Sequence, residues 1–376
     1  MMIADFGSPL RRVGIEVSIL LMDCRDDMLV GNRVGNQMPF SPSEIIAAAN
    51  QLPRVRLAHL PTPLEEVPRF SAWLGGGVRV FIKRDDCTGL LLGGNKARHN
   101  EFLMGDALDQ NADVVVWGAG VQSNNCRQTA AACAKLGLEC HLYLSRMDYS
   151  TEPQGNLLLD YLVGAHVNFT DAAIGPELNA LMAEKAEEFR RKGRRPYFWE
   201  PSRVVPRSAV SYAVCVAEVA EQLATMGLET EAVYVSSSGA TGAGVALGKE
   251  LLGLKAKARL ICPMPWPWNI PDAMARDANA AAELLGFPNR LNPSQIDADE
   301  SFIEPGYGLP SERGREALHA LTTTEAILLD PVYSAKAMAG LIADVRAGKY
   351  AKGSVLVFIH TGGVPAIFAE PEKVWP

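Results

Sequence analysis

The stretch DVVVWGAGVQSNNCRQTAAACAKLG, Asp113 to Gly137, decides the fold class. Three valines and a tryptophan make a short run that is apolar on both faces, as in a strand covered on both sides. A glycine-rich polar turn follows, and then alanines at helical spacing. The same plan recurs in EAVYVSSSGATGAGVALGKELLG, Glu231 to Gly253, and in SVLVFIHTGGVPAIF, Ser354 to Phe368. Strands alternating with helices imply an α/β fold with open, mostly parallel sheets flanked by helices. In such sheets ligands bind beyond the carboxyl ends of the strands. All three polar turns fall at such ends, so they are expected to converge on one ligand.

The rest of the chain fits this frame. VRVFIKRDD reads as a further strand, Val78 to about Lys83, and AHVNF as another after the helix GNLLLDYLVG. ELNALMAEKAEEFRRKG is a helix with a solvated, charge-paired face. PMPWPWNIPD, Pro263 to Asp272, is a proline-rich loop with two tryptophans, either a packed surface or part of a pocket. The chain of 376 residues is 48% hydrophobic and long enough for two domains or one large α/β unit. A net charge of -7 argues against a nucleic-acid surface, and no apolar run is long enough to span a membrane. Seven cysteines without a C-x-x-C pair fit a reducing cytoplasm. Cys126 and Cys133 lie two helical turns apart and read as buried neighbours rather than metal ligands. No metal site is expected, since His59, His141, His166 and His319 show no ligand spacing. The first segment, Met1 to about Gln37, reads as a poorly ordered extension or as sequence upstream of a start at Met38.

SSSGATGAG, Ser236 to Gly244, places hydroxyls and glycines directly before a helix. The first N–H groups of a helix lack partners and carry partial positive charge, which suits a phosphate. A capped helix after a tight turn would read the same way. Two rival phosphate motifs fare worse. GGNKARH fails the spacing of the nucleotide-triphosphate loop. The dinucleotide fingerprint is approached by Gly118 and Gly120 but has Ser123 in third place, with Arg146 as a candidate partner for an NADP phosphate.

LLLGGNKARHNEF, Leu90 to Phe102, puts Lys96 at a helix start, after Asn95 as N-cap. A protonated lysine there opposes the helix dipole, at about 0.3–1 kcal/mol. A neutral amine avoids this, and burial favours it. Neutral amine is the form needed for Schiff-base chemistry and proton abstraction. A reactive lysine and a separate phosphate turn are together what pyridoxal phosphate requires, with a third group facing its pyridine nitrogen.

At these residues the sequence resembles the D-cysteine desulfhydrase and 1-aminocyclopropane-1-carboxylate deaminase family of fold type II pyridoxal-phosphate enzymes, related to the tryptophan synthase β-chain. The likeness runs from RVRLAHLPTPLEEVPRFSAWLG, at Arg54, to HTGGVPAIFA. It rests on LPTPLE, IKRDD, GGNK, QSN with RQTAAA, PGYG, LLDPVY with AKAMAGL, and IHTGG, in that order. The resemblance implies a larger cofactor domain from residues 45–98 and 207–376, a smaller α/β domain from 99–206, an extension over 1–44, and a cytoplasmic homodimer.

By the same resemblance, Lys96 matches the lysine that bonds covalently to the cofactor, and Asn95 lies near it. Asn124 faces the cofactor's 3'-oxygen. Ser237, Ser238, Gly239, Ala240 and Thr241 match the phosphate loop. Gln122, Ser123 and Asn124 match the loop for the substrate carboxylate, with Ser123 near the reacting carbon. Tyr307 and Tyr333 line the substrate side.

The deaminase branch carries glutamate and leucine where this chain has Ser334 and Thr361, so the likeness is closer to the desulfhydrase branch. There the threonine faces the pyridine nitrogen. His99 stands where relatives have a lysine that helps hold the phosphate, Asn125 where they have histidine or glutamine, and Trp117 is bulkier than usual; these departures ring the expected pocket, with Asn125 and Ser334 expected to bind the substrate. The expected activity is a lyase acting on a small amino acid by α-proton abstraction and β-elimination, D-cysteine first. Deamination of the cyclopropane substrate, sulfo-lyase action on cysteate and racemisation are alternatives on the same scaffold. An NADP oxidoreductase or a non-catalytic binding relative would be a different class.

Overall fold

A computed structural model describes residues 39–146, 150–288, 291–369 and 371–374. The expectations for the first segment through residue 38 lie outside the described residues. Among the described residues ten strands, numbered in chain order, form two sheets. The larger has the order β1 (Leu64–Glu66), β2 (Arg79–Lys83), β10 (Val355–Ile359), β7 (Ala232–Ser236), β8 (Lys257–Ile261), β9 (Asp297–Asp299). The smaller has the order β5 (His166–Thr170), β4 (Glu139–Ser145), β3 (Val114–Gly120), β6 (Pro196–Phe198). Only the β1–β2 pair is antiparallel.

The helices are α1 (Pro42–Ala49), α2 (Pro68–Leu74), α3 (Lys96–Asp109), α4 (Asn124–Leu136), α5 (Gly155–Leu162), α6 (Pro176–Arg191), α7 (Pro201–Thr225), α8 (Ala240–Leu251), α9 (Ile270–Leu284), α10 (Glu312–Glu325), α11 (Ser334–Arg346) and α12 (Pro371–Val374). On one face of the larger sheet α1, α7, α8 and α9 bury an apolar core with β7, β8 and β10. On the other face α2, α10 and α11 do the same. In the smaller sheet α3, α4 and α5 cover one face and α6 the other. Both sheets are therefore sandwiched, which is why their strands read as unbroken apolar runs.

Local chemistry sets the helix ends. The Ser123 hydroxyl accepts from the N–H groups of Asn125 and Cys126 and starts α4, and Gly137, at φ 72°, ends it. Helix α8 lies so close to α7 that a Cβ at Gly244 would stand 2.2 Å from the Ala209 carbonyl oxygen. That contact brings the turn before α8 over the ends of β7 and β8.

Three sequence expectations shift. The third strand-turn-helix unit ends in a 3-10 turn, Val364–Phe368, which follows Gly362 and Gly363 at φ 81° and 101°. Ordered structure starts before residue 45: Ser41 and Glu44 make a capping box on α1, and the Phe40 ring packs on Phe287. The boundaries placed after residues 98 and 206 fall inside α3 and α7, which run through them unbroken.

Candidate active site

The loop before α3 is shaped by its glycines. Gly94 has φ 121°, and a Cβ there would stand 2.3 Å from Gln128 Nε2 and 3.2 Å from the Thr361 carbonyl oxygen. The Asn95 N–H donates to that same oxygen at 3.0 Å. Arg127 and Gln128 of α4 donate to the Gly93 carbonyl at 3.1 and 2.6 Å. Three chain segments far apart in sequence thus fix the residue that begins α3, Lys96.

Lys83 and Lys336 are buried and Lys96 is half-buried, and their partners separate them. Lys83 Nζ lies 2.8 Å from Glu218 and donates to the Thr62 carbonyl and Gln222 at 2.8 Å. Lys336 Nζ donates to the carbonyls of Ile303 and Gly306 at 2.7 Å each. Lys96 Nζ has no hydrogen-bond partner among the described residues, and it borders a cavity of about 710 Å³. Burial pushes its ammonium down from the ordinary lysine range to about 8. The helix start it occupies disfavours positive charge as well.

Across the cavity stands the turn between β7 and α8. The Ser237 hydroxyl accepts from the N–H groups of Gly239 and Gly242 at 3.1 and 2.8 Å, which rigidifies the turn. The Ser238 hydroxyl donates to the Met264 carbonyl at 3.2 Å. The N–H groups of Ser238, Ala240 and Thr241 have no acceptor among the described residues, and the buried Ser236 hydroxyl has no partner. Gly239 faces open space, with nothing within 4 Å of where a Cβ would sit. Unpaired donors, a helix start and an open approach are what a phosphate needs.

Asn95 does not cap α3. Its amide reaches across and donates to the Thr241 hydroxyl at 3.1 Å. The Thr241 hydroxyl also lies 3.2 Å from Nε2 of His99. Burial, then the charges of Lys96 and Arg98, hold the His99 imidazole well below its usual range, so it is neutral. With its proton on Nδ1 it accepts from Thr241. Asn95, Thr241 and His99 therefore tie the lysine helix to the phosphate turn.

Ser123, Asn124 and Asn125 line the cavity at the start of α4. Asn124 Oδ1 accepts from Asn156 at 3.1 Å, which orients its amide. Tyr307, Tyr333 and Thr361 also border the cavity. The two tyrosine hydroxyls are 2.5 Å apart, and burial pushes the Tyr307 phenol up. His360 Nδ1 accepts from the Gly362 N–H at 3.1 Å and Nε2 lies 3.0 Å from the Leu328 carbonyl, fixing the turn that carries Thr361.

Several expected residues point elsewhere. Ser334 does not reach the cavity: it is buried at the start of α11, with its hydroxyl 2.6 Å from Asp330 Oδ1. The Gln122 amide is committed to the Gln154 carbonyl and the Asn156 N–H, and it borders a small adjoining cavity. Trp117 is wholly buried, stacked on Tyr197 with Trp199 edge-on, so Trp199 and not Trp117 faces the ligand space. The NADP reading fails on geometry. Gly118 and Gly120 lie within β3, and Arg146 pairs with Asp171 over the Phe169 ring.

Sequence reading missed the support beneath the lysine. Arg98 is buried between Asp85 and Glu218, with four contacts of 2.8–2.9 Å. Tyr212 donates to Asp85 at 2.6 Å. Burial would raise the Asp85 carboxyl, but Arg98 holds it below its usual range. The signal was present in the paired charges of IKRDD and Lys96-Ala97-Arg98. Sequence reading also missed that β4 and β5 bring Glu139, His141 and His166 together, because ligand spacing in sequence does not register a cross-strand neighbour. Glu139 is already shared by His141 and Arg194, at 2.6 and 2.8 Å.

Residues 55–362 match the family described as pyridoxal-phosphate dependent enzyme. The chain belongs to that family. A crystal structure described as an ACC deaminase homologue is 34% identical, with a TM-score of 0.80, over 88% of this chain and 98% of that one. The diaminopropionate ammonia lyase of Escherichia coli is 17% identical, with a TM-score of 0.63, over 89% and 91% of the two chains. Threonine deaminase isoform 2 from Solanum lycopersicum is 16% identical, with a TM-score of 0.58, over 96% and 94%. At those identities the last two speak for the fold alone. The chain is pyridoxal-phosphate dependent, with the α/β architecture of fold type II. Among the described residues no helix is long and apolar enough to cross a membrane.

Proposed function

We propose that this enzyme is a lyase that takes a small amino acid through α-proton removal and β-elimination. D-cysteine, giving pyruvate, ammonia and hydrogen sulfide, is the leading substrate. One observation carries the reading: beside the buried Lys83 and Lys336, which are hydrogen-bonded, the half-buried Lys96 is without a hydrogen-bond partner among the described residues, and it shares a cavity with a turn of unpaired N–H donors. The residues present fit pyridoxal phosphate. Lys96 would bond to it, Ser236 to Thr241 would hold its phosphate, Asn124 would meet its ring oxygen, and Thr361 would face its ring nitrogen. When bound, the cofactor supplies an aldehyde for amines and a ring that accepts the electron pair left at Cα.

The chain's own groups do the rest. Lys96, with a proton affinity near neutrality, removes the α-proton and returns it. Ser123 and Asn124, at the start of α4, hold the carboxylate, where the helix end favours an anion. Asn125 completes that side of the pocket. The paired hydroxyls of Tyr307 and Tyr333 face the leaving group and can hand it a proton. Thr361 offers a hydroxyl, which does not enforce a protonated ring nitrogen as a carboxylate would. Loss of a good leaving group is favoured over opening a three-membered ring. His99, being neutral, contributes position rather than charge.

A second reading, deamination of the cyclopropane amino acid, draws on the likeness to the ACC deaminase homologue. A panel of D- and L-cysteine, D-serine, cysteate and the cyclopropane amino acid separates the two. Sulfide with pyruvate from D-cysteine supports elimination, and 2-oxobutanoate from the cyclopropane supports deamination. Neither product from either substrate would sink both readings. The family resemblance also implies a cytoplasmic homodimer, and sedimentation velocity tests the dimer.

A further inference from the structure

The cavity is larger than its polar end requires. Beyond Lys96 and the phosphate turn it widens into a vestibule between the loops that follow β8 and β5. One wall is the run PMPWPW, Pro263 to Trp268. Prolines at 263, 265 and 267 alternate with Met264, Trp266 and Trp268. Pro263, Met264, Trp266 and Trp268 all border the cavity, with Trp268 at its exposed rim. The two indoles are stacked, with centroids 4.6 Å apart and planes 12° from parallel. Ile174, Leu178 and Trp199 also line the cavity, as do Arg276 and Asp277 of α9. Trp266 comes within 3.8 Å of where a Cβ of Gly175 would sit, so the two loops meet at the mouth. Proline fixes φ, so this aromatic wall is ordered before any ligand arrives, which lowers the entropy lost on binding.

A cavity of about 710 Å³ lies within the range that takes a drug-sized ligand, roughly 300–1,000 Å³. The cofactor and a three-carbon amino acid account for the end that carries Lys96, Ser123 and the phosphate turn. They leave the tryptophan-walled end unfilled. We infer that this vestibule receives a bulky apolar or aromatic group on the sulfur of the substrate, so that the enzyme's substrates extend from D-cysteine to the cysteine thioethers. The inference rests on the lyase reading above and specifies its leaving group. The reaction is R–S–CH2–CH(NH2)–COOH with water giving R–SH, pyruvate and ammonia. The Cα proton goes to Lys96. The Cβ–S bond breaks with its electron pair on sulfur, which takes a proton. The three-carbon remainder is then hydrolysed by water.

The test has two arms on the holoenzyme. In the first, tryptophan fluorescence is titrated with N-acetyl-S-benzylcysteine, whose acylated amine cannot join the cofactor, and with N-acetyl-S-methylcysteine. The benzyl compound binds at least tenfold more tightly, and Trp266→Ala or Trp268→Ala removes that advantage, read by calorimetry where the fluorophore is lost. Trp266→Phe and Trp268→Phe restore most of it, which separates loss of the wall from loss of the fold. In the second arm, pyruvate is followed from both enantiomers of S-benzylcysteine and S-methylcysteine, with β-chloroalanine as a leaving group that needs no vestibule. The kcat/KM ratio of benzyl to methyl falls at least tenfold in each Trp→Ala variant. Equal affinity for the two blocked thioethers, or a ratio unmoved by the Trp→Ala changes, overturns the inference. Pyruvate from none of these compounds, β-chloroalanine included, overturns the lyase reading and with it the thioether chemistry.

Discussion

Replacing Lys96 by methionine should make the cofactor-free protein more stable while destroying cofactor attachment. The amine sits at a helix start without a hydrogen-bond partner among the described residues, and burial lowers its proton affinity from 10.5 to about 8. At 1.36 kcal/mol per tenfold change, holding that charge costs up to about 3 kcal/mol, and water entering from the cavity reduces this to about 1–3 kcal/mol. The sign follows from linkage. Between pH 8 and 10.5 the unfolded chain keeps a proton that the folded chain has released, so wild-type stability rises with pH across that window and the cost is complete below it. Methionine of similar length removes the charge and keeps the packing. Urea unfolding of both cofactor-stripped proteins at pH 7 should place the Lys96→Met midpoint higher by an amount equivalent to about 1–3 kcal/mol. The gain should fade towards pH 10.5. An unchanged midpoint at pH 7, or a gain that does not vary with pH, would refute the claim that Lys96 is held ready to lose its proton.

Three further outcomes test the surroundings of the site. Asn95→Ala removes the amide that donates to Thr241, and should weaken cofactor binding about tenfold, the equivalent of one buried hydrogen bond, measured by equilibrium dialysis. Gly93→Ala would bring a Cβ to 1.9 Å from the Asp86 carbonyl oxygen at φ 68°, so thermal unfolding should show a loss of 3 kcal/mol or more, on the order expected for a strained, overpacked site. Asp160 has two buried carboxylate oxygens without hydrogen-bond partners among the described residues, and burial raises its carboxyl from 3.8 to about 8. The unfolded chain loses this proton first, so stability falls as pH rises between those values. Asp160→Asn should flatten that fall and add about 2–4 kcal/mol at pH 7, and an unaltered pH profile of the melting temperature would contradict it.

The strands and the reactive lysine were legible because they depend on local pattern. Val114 to Trp117 is apolar on both faces since helices cover both sides of its sheet, and Lys96 stands out because glycines and a helix start surround it. What escaped the sequence depends on neighbours far along the chain. Asn95 looked like a helix cap, yet the Thr241 hydroxyl, 146 residues away, is a better-placed partner. Ser334 looked like a substrate contact, yet Asp330 turns it inward. Trp117, placed at the pocket by its departure from relatives, is buried in the core against Tyr197, and Trp199 faces the cavity in its place. His141 and His166 became neighbours only through strand register, which no spacing rule reports.

The placement of β10 has a consequence for the order in which the enzyme comes into being. It is the last strand of the chain, yet it lies between β2 and β7 at the heart of the larger sheet. The Thr361 carbonyl that fixes Asn95 arrives only with it. Until that strand is inserted, only the contacts of Asn95 and His99 with Thr241 align the segment ending in Lys96 with the segment beginning at Ser236. The ability to capture cofactor is therefore acquired only once β10 is in place, and a chain cut short before β10 gains no partial activity from having both halves of the site already made.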